Sequence, residues 1–204
     1  ELSSFRKILL FTCLLLHCAL KTEAQVVVDT IFLMQQKVYH DLDEALDQPD
    51  SVYILNLSRE KLTEVPSSIL TLKNLRILDL SHNRIKKIPE GLTAMNLLNG
   101  LDLSNNKITV LPGSIGNMHD LISLQLNRNL IDSIPPEIGN LKNLEVLELW
   151  DNEINYVPDE IKGLFNLKVL ELRGILFNEE EQLRIKNLLP EADVYLSPSC
   201  NCKY

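Results

Sequence analysis

The sequence has few aromatic residues, which make up 5% of its 204 residues and include a single Trp. A core must therefore be built from aliphatic side chains, and a hydrophobic content of 45% is sufficient for one domain. Positive charge is also scarce, because 20 Lys and Arg residues stand against 28 Asp and Glu residues and leave a net charge of −8. Nucleic-acid binding requires a basic stripe to meet the phosphates, so this composition argues against that function.

The chain also lacks an apolar run of the roughly 20 residues that an ordinary transmembrane helix requires. Its N-terminal apolar segment, residues 8–20, spans only 13 residues, follows Arg6-Lys7 and precedes Thr22-Glu23-Ala24. A basic start, a short apolar run and small residues before a cleavage point predict a signal peptide over residues 1–24, removed before Gln25. We therefore expect a secreted or cell-envelope protein with no membrane span.

Cysteine and histidine are too sparse to build a metal centre. Cys18 offers an alternative lipid-attachment site, although His17 stands where a small residue is usual. Beyond the signal segment only Cys200 and Cys202 remain, whereas a structural zinc site takes four ligands. The 4 His residues are scattered without metal-ligand spacing. The sequence therefore predicts no metal and no cofactor.

The prominent feature that the sequence does contain is a repeat. The segment LRILDLSHNRIKKIP (75–89) recurs as LNGLDLSNNKITVLP (98–112), and further copies occupy 121–135 and 144–158, each 23 residues on. A fixed period of this size is typical of solenoids. The Leu, Asn, Ile and Pro positions resemble those of the leucine-rich repeat superfamily, and the resemblance covers residues 52–189. The segments at both ends look like those of small secreted bacterial leucine-rich repeat proteins.

Each repeat position has a physical role. The LxL segment predicts a short parallel strand whose side chains alternate between core and surface, which places four leucines inward: Leu80, Leu103, Leu126 and Leu149. A buried Asn can donate and accept where the backbone turns away from the strand, which predicts a ladder of Asn83, Asn106, Asn129 and Asn152. The Pro residues from Pro66 to Pro158 suit the convex side, where no sheet hydrogen bond is lost. The resemblance implies an α/β fold, a solenoid (horseshoe) of about six coils with a parallel concave sheet and helical caps.

The Asn ladder also predicts where the repeats end. Glu60 and Ile175 stand at the Asn position of the first and last coils, and terminal repeats are atypical because they seal an open core. We expect an N-terminal cap over residues 25–51, the repeat array over 52–189, and a C-terminal cap strand and tail over 190–204.

Secondary structure within the caps is less uniform. Residues 41–46 carry acidic side chains early in a helical pattern, which favours a short helix, whereas 26–39 are ambiguous between strand and helix. At the other end, the three Glu residues 179–181 predict the start of a helix that runs to Pro190. Residues 192–196 predict a final edge strand.

One group of residues in the second coil could be mistaken for a catalytic site. Asp79, Ser81 and His82 lie close together, but Asp102 and Ser104 reproduce two of these positions without a His. The Asp and Ser therefore belong to the repeat pattern, and an open sheet offers no pocket that would orient a base. We expect a protein that is not an enzyme.

Two columns of side chains should point outward from the concave strands. The first comprises Asn56, Asp79, Asp102, Gln125, Glu148 and Glu171, and the second comprises Ser58, Ser81, Ser104, Asn127, Trp150 and Arg173. Like charges on neighbouring strands repel, so the acidic residues are either solvated or offset by a basic partner. Exposed Trp and Arg are enriched in binding hot spots. These columns predict a binding patch formed by Gln125, Asn127, Arg128, Glu148, Trp150, Asp151, Glu171 and Arg173.

The resemblance implies a recognition protein. We expect an exported, non-enzymatic module that binds a protein partner with a basic and apolar surface on its concave face. The repeat is also similar to that of Ras-pathway and Scribble-like scaffolds, so a cytoplasmic signalling scaffold is the alternative if residues 1–24 are not a signal. A third reading is a surface glycan-binding protein in which Trp150 stacks on a sugar ring.

Overall fold

The structure is a computed structural model that describes residues 31–198. Its central feature is an open sheet of eight parallel strands that follow one another in sequence order. The strands are β1 (Val38–Tyr39), β2 (Ile54–Asn56), β3 (Ile77–Asp79), β4 (Gly100–Asp102), β5 (Ser123–Gln125), β6 (Val146–Glu148), β7 (Val169–Leu172) and β8 (Asp193–Leu196). The six predicted coils supply β2 to β7. The caps add β1 and β8. Strand β8 corresponds to the predicted edge strand, whereas β1 was not predicted.

The strands pair in the register that the repeat predicts, with Leu78 beside Leu101 and Leu101 beside Leu124. Alternate side chains point into the core, where leucines from successive coils stack with no exposed surface: Leu80, Leu103, Leu126 and Leu149. Burial of aliphatic area is the main stabilising term, at about 25 cal/mol per Å². The core is continuous from Tyr39 to Leu189, as expected for a solenoid whose coils contact their immediate neighbours.

The Asn ladder joins each coil to the coil before it. The Asn106 side chain is buried, and its Nδ2 donates to the carbonyl oxygens of Leu80 at 2.9 Å and Leu103 at 3.0 Å. Its Oδ1 accepts the backbone N–H of Ile85 at 2.9 Å. Asn83 makes the equivalent three bonds one coil earlier. The ladder therefore satisfies backbone groups that would otherwise be buried without partners.

The N-terminal cap covers the first coil from two sides. Residues 31–35 are helical, and Leu33 packs on Ile54 and Ile77. Strand β1 then pairs with β2 and places Tyr39 in the main core. The short helix α1 (Leu42–Asp47) follows, and the Asp41 side chain caps it by accepting the N–H of Glu44 at 2.8 Å. The segment that was ambiguous in the sequence thus contains both a helix and a strand.

Five of the six coils return along the convex side through a short helical turn that starts after a Pro. The second coil has α2 (Glu90–Thr93), and four others have 3-10 turns, at Ser67–Thr71, Gly113–Asn117, Pro136–Asn140 and Asp159–Gly163. In each case the Pro is the residue that immediately precedes the turn, so the predicted Pro ladder lies at the start of the convex segments. Close packing of these turns requires Gly139, where a Cβ atom would collide with the carbonyl oxygen of Glu160.

The C-terminal cap closes the other end of the core. Helix α3 (Glu179–Leu188) begins at Asn178, whose side chain accepts the N–H of Glu181 at 2.8 Å, and it buries Ile185. Strand β8 follows and pairs with β7, close to the predicted edge strand. No helix between residues 31 and 198 is long and apolar enough to cross a membrane. The predicted signal peptide and the last residues of the tail lie outside the described residues.

Candidate functional site

The concave face carries the two predicted columns in adjacent strands. Strand pairing aligns Asp79 with Asp102, Asp102 with Gln125, Gln125 with Glu148, and Glu148 with Glu171. Neighbouring strands lie about 4.8 Å apart, so these side chains form one continuous line. Gln125, Glu148 and Glu171 of the predicted binding patch therefore lie side by side.

Burial of three residues of the first column bears on one of the two alternatives for its acidic residues, that of solvated charge. Asp79 is 3% exposed, Asp102 is 6% exposed and Glu171 is 7% exposed. The solvated alternative is wrong for these three residues. Alternation along a strand predicts which face a side chain occupies, but it does not predict how far larger neighbours shield a short carboxylate.

The predicted patch contains residues of three kinds. Arg128, Asp151 and Arg173 are exposed, and Gln125, Glu148 and Trp150 are partly exposed. Asn127 and Glu171 are buried, so their expected place on an exposed surface is corrected. Six of the eight residues of the predicted patch are therefore at least partly exposed.

The first column also has a structural role that the sequence analysis missed. The Oδ1 atoms of Asn56, Asp79 and Asp102 accept the backbone N–H two residues ahead, at 2.9, 2.8 and 2.8 Å. Short Asx side chains are suited to this bond because they reach their own backbone two residues on. The signal in the sequence is the recurrent Asx-Leu-Ser triplet, in which Asp ends each strand and begins the turn.

Burial gives the acidic column unusual titration behaviour. The pKa of the Asp102 carboxyl is raised to about 7 because the group is removed from water, and the neighbouring charge of Asp79 raises it further. Burial likewise raises the pKa of the Asp79 carboxyl, against the opposing effect of its hydrogen bonds with Ser81 and the positive potential of His82 and His40. The centre of the face therefore holds carboxyl groups whose charge is costly.

Trp150 packs against an arginine side chain. The guanidinium of Arg128 lies 4.6 Å from the centroid of the indole ring, at a distance suited to a cation–π contact. The pKa of the Glu148 carboxyl is raised by burial, and a hydrogen bond with the Trp150 side chain opposes that shift. Arg128 also approaches Asp151, with its Nε atom 3.5 Å from the carboxylate. The only Trp in the chain is thus a partly exposed aromatic group stacked under Arg128 within the predicted patch.

The C-terminal side of the patch is paired within itself. The Arg173 side chain donates to Glu171 through Nε at 2.8 Å and Nη2 at 2.5 Å, and its guanidinium lies 5.7 Å from the Tyr195 ring. Charge on Glu171 is therefore neutralised. By contrast, the ion pairs among residues 31–198 include none with Asp79, Asp102 or Glu148.

The geometry does not assemble a catalytic group from the residues considered above. Asp79 uses one carboxylate oxygen to accept the backbone N–H of Ser81, and His82 projects into solvent. Between residues 31 and 198, no cluster of three or more His, Cys, Asp or Glu is arranged to hold a metal ion. The face offers fixed aromatic, cationic and acidic groups, which suit recognition.

A family model for the leucine-rich repeat matches residues 50–108 and 119–174, together more than half of the chain. The chain belongs to the leucine-rich repeat family. Members of this family are typically non-enzymatic interaction modules. No curated protein matches this leucine-rich repeat chain closely enough to count as a relative.

Solved structures agree with this family membership. A leucine-rich repeat protein of Leptospira interrogans has 30% identity and a TM-score of 0.66, and the match covers 80% of this chain and 47% of that one. The ectodomain of the Arabidopsis thaliana receptor kinase GASSHO1/SCHENGEN3 has 28% identity and a TM-score of 0.63, with coverage of 80% and 20%. An internalin of Listeria monocytogenes has the same fold at 20% identity and a TM-score of 0.55, with coverage of 78% and 53%. This leucine-rich repeat chain thus spans about half or less of each of these proteins.

Proposed function

We propose that this leucine-rich repeat protein is an exported recognition module that binds a protein partner on its concave face, with Trp150 as the principal anchor. The observation that carries the proposal is the packing of the Arg128 guanidinium over the partly exposed Trp150 ring, 4.6 Å from its centroid. A rigid aromatic group loses little conformational entropy on binding, which is why Trp is enriched in hot spots.

Charge and fold support a basic partner of modest size. The chain has a net charge of −8, and the carboxylates of Glu148 and Asp102 lie within two strands of Trp150. A partner with Lys or Arg around an apolar anchor would complement this surface. The GASSHO1/SCHENGEN3 ectodomain was solved in complex with Casparian strip integrity factor 2, so a similar fold presents a surface to a protein ligand.

The same geometry favours a protein over a glycan. Sugar stacking requires an open aromatic face, and Arg128 already lies over one face of the Trp150 ring. The cytoplasmic scaffold remains the alternative for a protein partner, and it differs from the present proposal only in the fate of residues 1–24.

The test is capture of the partner by the immobilised protein, identification by mass spectrometry, and affinity measurement with two variants. Trp150→Ala should weaken binding by about 2 kcal/mol or more, roughly thirtyfold, if Trp150 is a hot spot. The matched control is Tyr156→Ala. Like Trp150, Tyr156 is an accessible aromatic residue that packs under an arginine, Arg184, but it lies away from the strands of the concave sheet.

Equal affinities for the two variants would place the site away from the concave face and overturn the proposal. Binding of the wild-type protein to a glycan array, abolished by Trp150→Ala, would instead favour the glycan reading. Association that slows as salt concentration rises is expected for an acidic site and a basic partner.

A further inference from the structure

One side of the solenoid, between the concave strands and the convex turns, differs in charge between its two halves. This lateral face belongs to coils 1 to 6, which contain β2 to β7, and it comprises residues 59–64, 82–87, 105–110, 128–133, 151–156 and 174–177. Equivalent positions stack from coil to coil through backbone hydrogen bonds of 2.7 to 2.9 Å, whose donors include Arg84, Lys107, Leu130 and Glu153. The lateral face is therefore made of columns in which residues of successive repeats are neighbours.

The first three coils make the lateral face basic. They place six exposed cations on it, against the two carboxylates of Glu60 and Glu64: Arg59, Lys61, Arg84, Lys86, Lys87 and Lys107. None of the six takes part in an ion pair within residues 31–198, where five other cations do. Like charges that lie close together repel, so this half of the face holds charge that a partner could neutralise.

The remaining coils reverse the character of the lateral face. In coils 4 and 5 its exposed carboxylates are Asp132, Asp151 and Glu153, and its single cation, Arg128, is paired with Asp151. Four large apolar side chains are exposed at and beyond the middle of the face: Val110, Leu130, Tyr156 and Leu176. This half therefore offers acidic and apolar groups, whereas the first half offers cations.

A second copy of the chain complements both halves. In a two-fold arrangement whose axis runs across the lateral face between coils 3 and 4, the coil order of the two copies is opposed and each column faces itself. Arg84 and Glu153 occupy equivalent positions in coils 2 and 5, so Arg84 of each copy lies opposite Glu153 of the other. Lys107 faces Leu130 in the same way, and its aliphatic stem can cover that leucine. Copies with parallel coil order would instead place cations on cations.

We propose that this leucine-rich repeat protein forms a two-fold dimer through its lateral face, with Arg84 of one copy paired to Glu153 of the other. The inference goes beyond the proposed function, because the concave strands take no part in the interface. Each dimer carries two Trp150 patches, so a partner that presents its binding segment repeatedly would be held by both. Six coils extend over only about 25 Å and the charged contacts are exposed, so we expect a weak, salt-sensitive dimer rather than an obligate one.

The test is sedimentation equilibrium of the full chain over a series of protein concentrations. We expect the apparent mass to rise towards that of two chains, and the dimer to dissociate as salt concentration increases. Arg84→Glu and Glu153→Lys should each weaken the dimer by about tenfold or more, because each substitution places like charges opposite each other twice in every dimer.

Mixing the two variants is the sharpest form of the test. The Arg84→Glu chain has acidic side chains at both positions, and the Glu153→Lys chain has cationic ones, so the mixture should form a heterodimer with both pairs opposite in sign. The matched control is Lys162→Glu, which makes a comparable charge change at an exposed lysine in a convex turn. This control should dimerise as the wild type does.

A wild-type chain that stays monomeric at every concentration would overturn the proposal. Single variants that dimerise as well as the wild type, or a mixture of them that fails to associate, would also overturn it. Assemblies that keep growing beyond two copies would do the same, since they require a head-to-tail contact that does not close.

Discussion

At the scale of single residues, two ladders of short polar side chains have different roles. Asn106 lies inside the turn and bonds four backbone groups, whereas Asp102 lies on the concave face and bonds one. The amide is satisfied as both donor and acceptor, while the carboxylate is buried beside another carboxylate. The first arrangement stabilises the fold, and the second costs stability at neutral pH.

Asn106→Ala should lower the free energy of unfolding by about 1–3 kcal/mol, because Ile85, Leu80 and Leu103 lose a buried hydrogen-bond partner. Urea denaturation would measure the change. Asn155→Ala, at an exposed position in a later coil, is the control and should be near neutral. A larger loss for the control would show that the assigned ladder is wrong.

Asp102→Asn should stabilise the protein at alkaline pH. The ordinary pKa of the carboxyl is 3.8 and its pKa in the folded protein is about 7, so protonation favours the folded state. The stability that the protonated Asp102 carboxyl contributes is therefore fully present below pH 3.8, and it is lost as the pH rises through about 7. The Asn variant keeps the Ser104 hydrogen bond and carries no charge, so its advantage should be about 1–3 kcal/mol near pH 8.

That advantage should shrink near pH 5 and vanish near pH 3.5, which urea denaturation at each pH would measure. Asp132→Asn, on an exposed carboxylate, should show no comparable gain. A gain for Asp102→Asn that is the same at every pH would contradict the assignment of the raised pKa.

At the scale of elements, the sequence was most informative where the repeat is regular. The LxL segments predicted strands β2 to β7, because a strict alternation of leucines can bury only one face of a strand. Strand β1 was missed, since Val38 and Tyr39 lie in an apolar run that fits helix and strand equally well. The burial of Asn127 and Glu171 was missed for another reason, because it depends on the size of neighbours across the sheet.

Helix α3 is the element whose formation depends most on its first residue. Asn178→Ala should reduce stability by about 1 kcal/mol, because the N–H of Glu181 loses the side chain that caps it. Asn178→Asp keeps the acceptor and also suits the helix dipole, so it should be neutral or slightly stabilising. Thermal denaturation of both variants would measure this difference, and equal losses would contradict a capping role.

At the scale of the whole molecule, the ends of the solenoid are built differently from its middle. The N-terminal cap places Leu33 over the concave column at Ile54 and Ile77, and the C-terminal cap places Ile185 in the core. A partner can therefore reach the face from the centre to the C-terminal strands. This placement agrees with the position of Trp150, which follows strand β6.

The proposed export of the chain has its own test. Ala24→Leu removes the small residue before the predicted cleavage point, so a larger precursor should accumulate and fail to mature. Comparison of the mass of the protein in extracellular and cell fractions would measure the effect. Ala45→Leu is not a suitable control, because Ala45 is fully buried and the larger side chain would disturb the core. Wild-type protein that stays in the cytoplasm at full length would favour the scaffold alternative.

The direction of the Asn ladder has a consequence for the protein during its synthesis. Asn83 supplies partners to Leu57 and Leu62, and Asn106 supplies them to Leu80 and Ile85, so each turn is completed by the coil that follows it. On the ribosome, a coil is therefore unfinished until the next one has emerged. The nascent chain should consolidate from its N-terminus one coil behind the exit tunnel, with helix α3 closing the series.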